Sequence, residues 1–164
     1  MENIKVKNVL FSKQAEDSSN FQKCLEIAKE KKINLIILEK GNRINIEKKI
    51  HVDILWPEGK NFVNENALNN NSIVCKFYYK NFSMLFTGDI EEKAEINILN
   101  QYNNHTDILK SDVLKVAHHG SKTSSIQDFI ETVNPKVALI GVGKNNNFGH
   151  PSIDVINRLE KLRH

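Results

Sequence analysis

The sequence has few cysteines and no long apolar run. Cys24 and Cys75 lie far apart and show no Cys-x-x-Cys spacing, so the sequence indicates neither a disulfide framework nor a thiolate zinc site. Both fall within apolar patterns, and we expect them to be buried. No window approaches the length of a membrane span, and the N-terminus lacks the apolar core of an export signal. We therefore expect a cytoplasmic protein.

An excess of charge of one sign is also missing. The formal net charge is +3 over 164 residues, and the lysines are scattered in short pieces. This pattern favours an ordinary solvated surface over a dedicated anion-binding tract. The chain length and a hydrophobic share of 40% suit a single soluble domain, residues 1–164, with a modest core.

Apolar patterning predicts an α/β layered sheet with helices on one outer face. Strands dominate the first half, and helices alternate with strands in the second. We expect Ser18 or Ser19 to cap the first helix and Pro151 to begin the last one. The asparagine-rich residues 58–71 are predicted as loop. Strands are predicted at 4–11, 34–39, 43–46, 50–56, 72–79, 82–86, 113–117 and 136–141, and helices at about 19–32, 91–101, 126–133 and 151–162.

The stretch 112–125, DVLKVAHHGSKTSS, is the strongest candidate for chemistry. Its apolar first half predicts a buried strand that ends at His118 and His119. Adjacent side chains at a strand end point to opposite faces, so one imidazole is expected to face a crevice and the other a second partner or the substrate. Neutral imidazole binds zinc, and Gly120 lets the backbone turn away without a Cβ clash. A purely structural role for the histidines remains an equal alternative.

Hydroxyl side chains follow the histidine pair. They are expected either to contact an oxyanion or to cap the next helix, and capping is favoured for the last of them. They are Ser121, Thr123, Ser124 and Ser125.

Two further segments are placed to meet this stretch. FSMLFTGD ends at Asp89, directly after a predicted strand, and NNNFGHP contains His150 in a glycine-containing turn. Open α/β sheets form their sites at such strand ends and loops. Asp89 suits a metal-bridging carboxylate, but it also fits a helix N-cap paired with Glu92. His150 fits a metal shell, a phosphate contact at a helix N-terminus, or an exposed turn. The remaining histidines lack such context, and we expect no site role for His51, His105 and His164.

Taken in order, these segments resemble a known family. NNNSIV, LFTGDIEEKAE, DVLKVAHHGS, NPKVALIGVG and NNNFGHP are similar to the metallo-β-lactamase-like domain of the ComEC competence family and its stand-alone hydrolase relatives. Several spaced motifs in one order make the resemblance specific from about residue 69 onward. It implies an αββα sandwich with one or two metal ions, usually zinc and sometimes manganese, and hydrolysis by metal-activated water. The competence branch handles or degrades the DNA strand that is not taken up.

The resemblance also implies roles for individual residues. Asp89 matches the carboxylate that binds or bridges the metals. His119 is the favoured metal histidine, and His118 is its neighbour and a candidate catalytic contact to the substrate. His150 matches a late histidine that is a metal ligand or a catalytic residue at the substrate phosphate.

One family motif, His-x-His-x-Asp-His, is absent from this sequence. A catalytic zinc generally takes three protein ligands plus water, so Asp89, His119 and His150 would have to serve alone. We therefore interpret the chain as the C-terminal half of the sandwich, a truncated domain that binds metal weakly and hydrolyses little by itself.

A sandwich that lacks most of one sheet exposes apolar surface. We expect the chain to self-associate, to pair with a separately encoded N-terminal half, or to be poorly soluble. The alternative interpretation is a non-catalytic remnant or interaction module whose site residues are vestigial.

Overall fold

The computed structural model describes residues 4–13 and 19–163. Within them lie eight strands and five α-helices. The strands are β1 (Asn8–Ser12), β2 (Asn34–Leu38), β3 (Arg43–Glu47), β4 (Ile50–Trp56), β5 (Val74–Tyr79), β6 (Phe82–Phe86), β7 (Val113–Lys115) and β8 (Val137–Leu139). The helices are α1 (Ser19–Glu30), α2 (Ala67–Asn70), α3 (Glu92–Gln101), α4 (Gln127–Val133) and α5 (Ile153–Glu160).

A six-stranded mixed sheet, β3 to β8 in sequence order, forms the centre of the fold. The strands from β3 to β6 pair antiparallel, whereas β6, β7 and β8 pair in parallel. Parallel neighbours need a long crossover, and α3 and α4 lie in the two crossovers. β1 and β2 form a separate two-stranded parallel sheet, joined through α1. The predicted α/β class is confirmed.

The core lies on one face of the six-stranded sheet. Leu85 and Leu114 are cross-strand partners on β6 and β7, and both are fully buried. They belong to one apolar cluster with side chains from the helices, such as Ile98 of α3, Phe129 of α4 and Val155 of α5. These three helices therefore cover this face, as the sequence pattern predicts.

The opposite face of the sheet is apolar and only partly covered. Phe86, Lys115 and Leu139 form one cross-strand row on this face, because neighbouring residues along a strand alternate sides. Phe86 is 39% exposed, Leu139 46% and Val137, in the next row, 48%. These side chains, together with Tyr79 and Phe82, are called the outer face below. Their exposure agrees with the apolar surface expected from the sequence.

Several predicted boundaries are wrong. Residues 58–71 contain α2, because the Asn70 and Asn71 amides donate to the carbonyls of Glu65 and Val63 and fold the segment back on itself. α5 begins at Ile153 rather than at Pro151, and the hydroxyl of its N-cap, Ser152, accepts from the Val155 amide. At the other end of the chain, Ser19 is the first residue of α1, and Ser18 lies outside the described residues.

Cys24 and Cys75 are free thiols and both are half-buried, so the expected burial is only partial. Burial raises the pKa of the Cys75 thiol to about 11. In the part of the chain that the structure describes, no helix is both long and apolar enough to cross a bilayer.

Candidate functional site

Two turns meet at one edge of the six-stranded sheet. β6 and β7 are parallel neighbours, so the turns that follow them lie side by side. The Thr87 hydroxyl donates to the carbonyl of Lys115 over 2.6 Å, and the His118 amide donates to the carbonyl of Gly88 over 3.1 Å. These contacts fix the turn that carries Asp89 against the turn that carries the two histidines.

The histidines lie in a tight turn and not at the end of a strand. β7 ends at Lys115, two residues before the predicted end, and Ala117–Gly120 turns with His118 at φ 46° and His119 at φ 56°. Left-handed backbone is uncommon for residues other than glycine, and it is concentrated at functional sites. The two rings do reach different partners, as expected. The cause is the geometry of the turn, however, and not the alternation of side chains along a strand.

Gly120 connects this turn to the loop that carries His150. It has φ +80°, and a Cβ placed there would lie 2.7 Å from the Cβ of Pro151. Its carbonyl accepts from the Ser152 amide over 2.8 Å. Only glycine permits this close approach, which brings the start of α5 against the histidine turn.

Asp89 and His119 form an open pair. His119 Nε2 lies 3.6 Å from Asp89 Oδ1, and both side chains are about half exposed. His119 Nδ1 lies 2.6 Å from the carbonyl oxygen of Gly141. A carbonyl only accepts, so Nδ1 is the donor in this contact, and in the neutral ring Nε2, on the side of Asp89, is the nitrogen that can bind a metal. Metal-binding histidines are commonly fixed by such a hydrogen bond from the second ring nitrogen.

The helix-capping alternative for Asp89 is wrong. α3 begins at Glu92, and its N-cap is Glu91, whose side chain makes no capping hydrogen bond. The Asp89 carboxylate is therefore not used as the cap of this helix.

His118 faces a buried carboxylate that sequence reasoning missed. His118 Nδ1 lies 3.4 Å from Glu91 Oε1, and Nδ1 is buried with no hydrogen-bond partner. Glu91 accepts from Thr123 Oγ1 over 3.0 Å and from Asn66 Nδ2 over 2.7 Å, and its own amide donates to Asn70 Oδ1. These contacts fix Glu91 beside the imidazole. The only signal for Glu91 in the sequence is that it is an acidic residue two positions after Asp89. Such a residue could equally lie on the surface.

The hydroxyls after the histidines stabilise the turn itself. The hydroxyl oxygens of Ser121 and Thr123 are 2.9 Å apart, and Ser124 Oγ donates to the carbonyls of Ala117 and Ser121. Ser125 is not the N-cap of α4, because Ile126 takes that position.

A carboxylate from α3 binds the backbone just before α4. Glu95 accepts from the amides of Ser125 and Ile126 over 2.6 and 2.8 Å. Burial raises the pKa of Glu95 to about 7, although the two amide hydrogen bonds and nearby Arg158 act in the opposite direction. The segment that leads into α4 is therefore coupled to α3 through one buried side chain.

His150 lies against His118. The two rings meet edge to face with centroids 5.8 Å apart, and Phe148 stacks on His150 at 5.9 Å. Elsewhere, His51 stacks on Tyr78 on the sheet, and His105 is an exposed turn residue. His164 lies outside the described residues.

The spacing of Asp89 and His119 matches that of two ligands on one metal ion. Zinc–ligand bonds of 2.0 to 2.2 Å at tetrahedral angles place two ligands about 3.4 Å apart, and the Asp89–His119 pair has a 3.6 Å separation. The pair thus fits two positions of a metal shell. Across residues 4–13 and 19–163, no group of three or more His, Cys, Asp and Glu side chains could hold an ion. The set in this chain provides two of the three protein ligands that a catalytic zinc needs.

No family model matches the chain. Similarity to individual proteins is extensive: the chain is 33% identical to ComE operon protein 3 of Bacillus subtilis (strain 168) over 96% of its length. It is 31% identical to Competence protein ComA of Neisseria gonorrhoeae over 67% of its length, and 35% identical to Recombination protein 2 of Haemophilus influenzae over 70%. The chain spans only 19%, 15% and 13% of these relatives. They support the resemblance to the ComEC competence family.

Proposed function

We propose that this chain belongs to a competence protein of the ComEC type and contributes the C-terminal portion of a metal-dependent hydrolase. The proposed substrate is a phosphodiester of the nucleic-acid class, DNA in the first instance. The observation that carries the proposal is the Asp89–His119 pair, 3.6 Å apart, beside the contact between His118 and His150. The names of two relatives, Competence protein ComA and Recombination protein 2, support a competence-related role.

Asp89 and His119 are the proposed ligands for zinc or manganese. The carbonyl of Gly141 holds the His119 ring with Nε2 towards Asp89, so the pair is oriented before an ion arrives. His150, which lies against His118, is proposed as a contact to the substrate phosphate and not as a ligand of this pair. A bound ion would supply water of lowered pKa and stabilise charge that builds on the phosphoryl oxygen.

His118 is the proposed catalytic contact to the substrate. Glu91 lies against Nδ1, so Nε2 is the nitrogen free to meet a phosphate oxygen. The His118 side chain is 23% exposed, which leaves its ring accessible from solvent. A carboxylate close to one imidazole nitrogen, with the other nitrogen facing the substrate, is a common acid–base arrangement.

A missing N-terminal half is the proposed source of further ligands. Two well-placed donors bind an ion less tightly than the three of a catalytic site. The proposal therefore predicts weak metal binding and little hydrolysis by this chain alone, and hydrolysis after the other half is added.

Metal titration calorimetry of the chain with zinc and with manganese tests the site. Weak binding is expected in the unaltered chain, and Asp89→Asn and His119→Ala should each reduce the affinity by about tenfold or more. His105→Ala is the matched control, because His105 is an exposed turn residue outside the site. Equal affinity in the unaltered chain and both site variants would remove Asp89 and His119 as ligands.

Hydrolysis of bis-p-nitrophenyl phosphate, with and without the N-terminal portion of a ComEC-type relative, tests the activity. Restored hydrolysis that His118→Ala abolishes supports the proposal. The alternative is a non-catalytic interaction module. A reconstituted pair that associates and binds metal but never hydrolyses the ester would favour it.

A further inference from the structure

We propose that Phe148 is a stacking platform for an unpaired nucleobase, placed beside the phosphate that the histidines contact. This inference rests on the proposed function, because it assigns the substrate a second subsite. Phe148 is 81% exposed, more than any other large hydrophobic side chain in the described residues.

The loop around Phe148 is fixed by one side chain. The Asn146 amide group donates to the carbonyls of Gly143 and His150 over 3.1 and 2.8 Å. Its oxygen accepts from the amides of Phe148 and His150 over 3.2 and 3.0 Å. Four hydrogen bonds to one asparagine fix the loop backbone on which Phe148 stands, so little of the loop need be ordered when a ligand binds.

The ring also lies next to the candidate site. Phe148 stacks on His150 with an interplanar angle of 21° and a centroid distance of 5.9 Å, and the next contact, from His150 to His118, is 5.8 Å. Most of the Phe148 side chain is nevertheless open to solvent, since it is 81% exposed. A base stacked on the exposed ring would extend this series of rings, and its own phosphate would lie towards the histidines.

The surroundings of Phe148 suit a nucleic acid. Its neighbours in the loop are Lys144, Asn145 and Asn147, all exposed and polar. A cation and amides beside an aromatic ring are what single-strand binding sites combine, because the ring stacks on the base and the cation meets the phosphates. The surroundings of Phe86, another exposed aromatic residue, are different. Its cross-strand row on the outer face contains Leu139, which suits packing against a protein.

Two oligonucleotides separate base stacking from phosphate binding. One is a thymidine pentamer, and the other is its abasic counterpart with the same phosphates. Phe148→Ala should weaken binding of the thymidine pentamer by roughly 5- to 100-fold and leave binding of the abasic pentamer unchanged. In Phe148→Trp, the thymidine pentamer should quench the fluorescence of the new indole, and the abasic pentamer should not. The single natural tryptophan, Trp56, is buried and contributes a constant background.

Ile153→Ala is the matched control. Ile153 is also apolar and 68% exposed, and it lies five residues further along the chain, at the start of α5. Stacking predicts that this variant binds both pentamers like the unaltered chain. If a protein surface covers both residues instead, Phe148→Ala and Ile153→Ala should both change sedimentation, and neither should change pentamer binding. That result would overturn the inference.

The remaining outcomes separate the two proposals. If the unaltered chain binds both pentamers equally and Phe148→Ala changes nothing, the platform is disproved while the phosphodiester site stands. If neither pentamer binds the chain, with or without zinc and manganese, the inference fails together with the nucleic-acid substrate on which it rests.

Discussion

At the scale of single residues, burial distinguishes two glutamates that the sequence presents as equivalent. Glu91 is 8% exposed and is held by Thr123 and Asn66, whereas Glu92, the next residue, is exposed. The difference matters because, of these two glutamates, only Glu91 contacts His118. A buried carboxylate with several donors is costly to remove, since each donor is left without a partner.

Glu91→Ala is expected to lower the free energy of unfolding by about 1 to 3 kcal/mol, because the Thr123 and Asn66 donors lose their acceptor. Urea denaturation measures the change. Glu92→Ala is the control and should stay within about 0.5 kcal/mol of the unaltered chain. Similar losses in the two variants would show that the network around Glu91 contributes nothing particular.

Glu95 predicts a pH dependence of stability. Its pKa in the folded chain is about 7, above the ordinary 4.5, because burial disfavours the charged form. The folded chain therefore holds this proton at pH values where the unfolded chain has lost it. The resulting stability is fully present below about pH 4.5 and is lost as the pH rises through about 7.

Between these pH values the free energy of unfolding should fall by roughly 3 kcal/mol through Glu95. Urea denaturation from pH 4.5 to 7.5 measures this fall against Glu95→Gln, which cannot titrate. Glu92→Gln, on the exposed side of the same helix, should keep the fall. A Glu95→Gln profile parallel to that of the unaltered chain would contradict the assignment.

At the scale of elements, the histidine turn and the start of α5 depend on close approach at Gly120. The backbone has φ +80° there, and Pro151 occupies the space where a Cβ would stand. A side chain at this position is therefore strained by the backbone and also collides with a neighbouring element.

Gly120→Ala is expected to destabilise the chain by about 1 to 3 kcal/mol and to weaken zinc binding, because the turn that carries His119 must shift. Thermal denaturation and calorimetry measure the two effects. Gly143→Ala is the control, since a Cβ there meets no atom within 4 Å. Unchanged stability in Gly120→Ala would mean that the turn and α5 are not packed as described.

At the scale of the whole molecule, the sheet is covered by helices on one face and left apolar on the other. Phe86, Val137 and Leu139 are each between 39% and 48% exposed on the outer face. Exposed apolar surface of this kind favours association with another protein surface. The chain also spans only 19% of ComE operon protein 3, so further chain of the same protein is one proposed partner.

The isolated chain is expected to self-associate through the outer face, and a double variant with Phe86→Lys and Leu139→Lys should be more monomeric because charges resist burial. Sedimentation velocity measures the association, and circular dichroism checks that the fold is kept. Ile96→Lys is the control, because Ile96 has the same 39% exposure as Phe86 but lies on α3. Equal monomer fractions in the unaltered chain and the double variant would contradict this expectation.

The sequence by itself determined the α/β class, most strand positions and the segments that carry Asp89, His118, His119 and His150. Alternation and helical spacing are local properties, so they can be recognised without knowing which elements become neighbours. The switch from apolar to polar residues at the end of a strand is also a local property. It therefore already indicated the sheet edge where the two turns meet.

Only the tertiary structure decided which partners these residues have. Three sets of contacts join residues 5 to 31 positions apart: Glu91 with His118, Glu95 with the amides of Ser125 and Ile126, and Asn70 with Glu65. It also separated the candidate ligands into an Asp89–His119 pair and a His118–His150 contact. The physical reason is that burial and through-space contacts are set by how the crossover helices pack on the sheet, and local periodicity does not encode that packing.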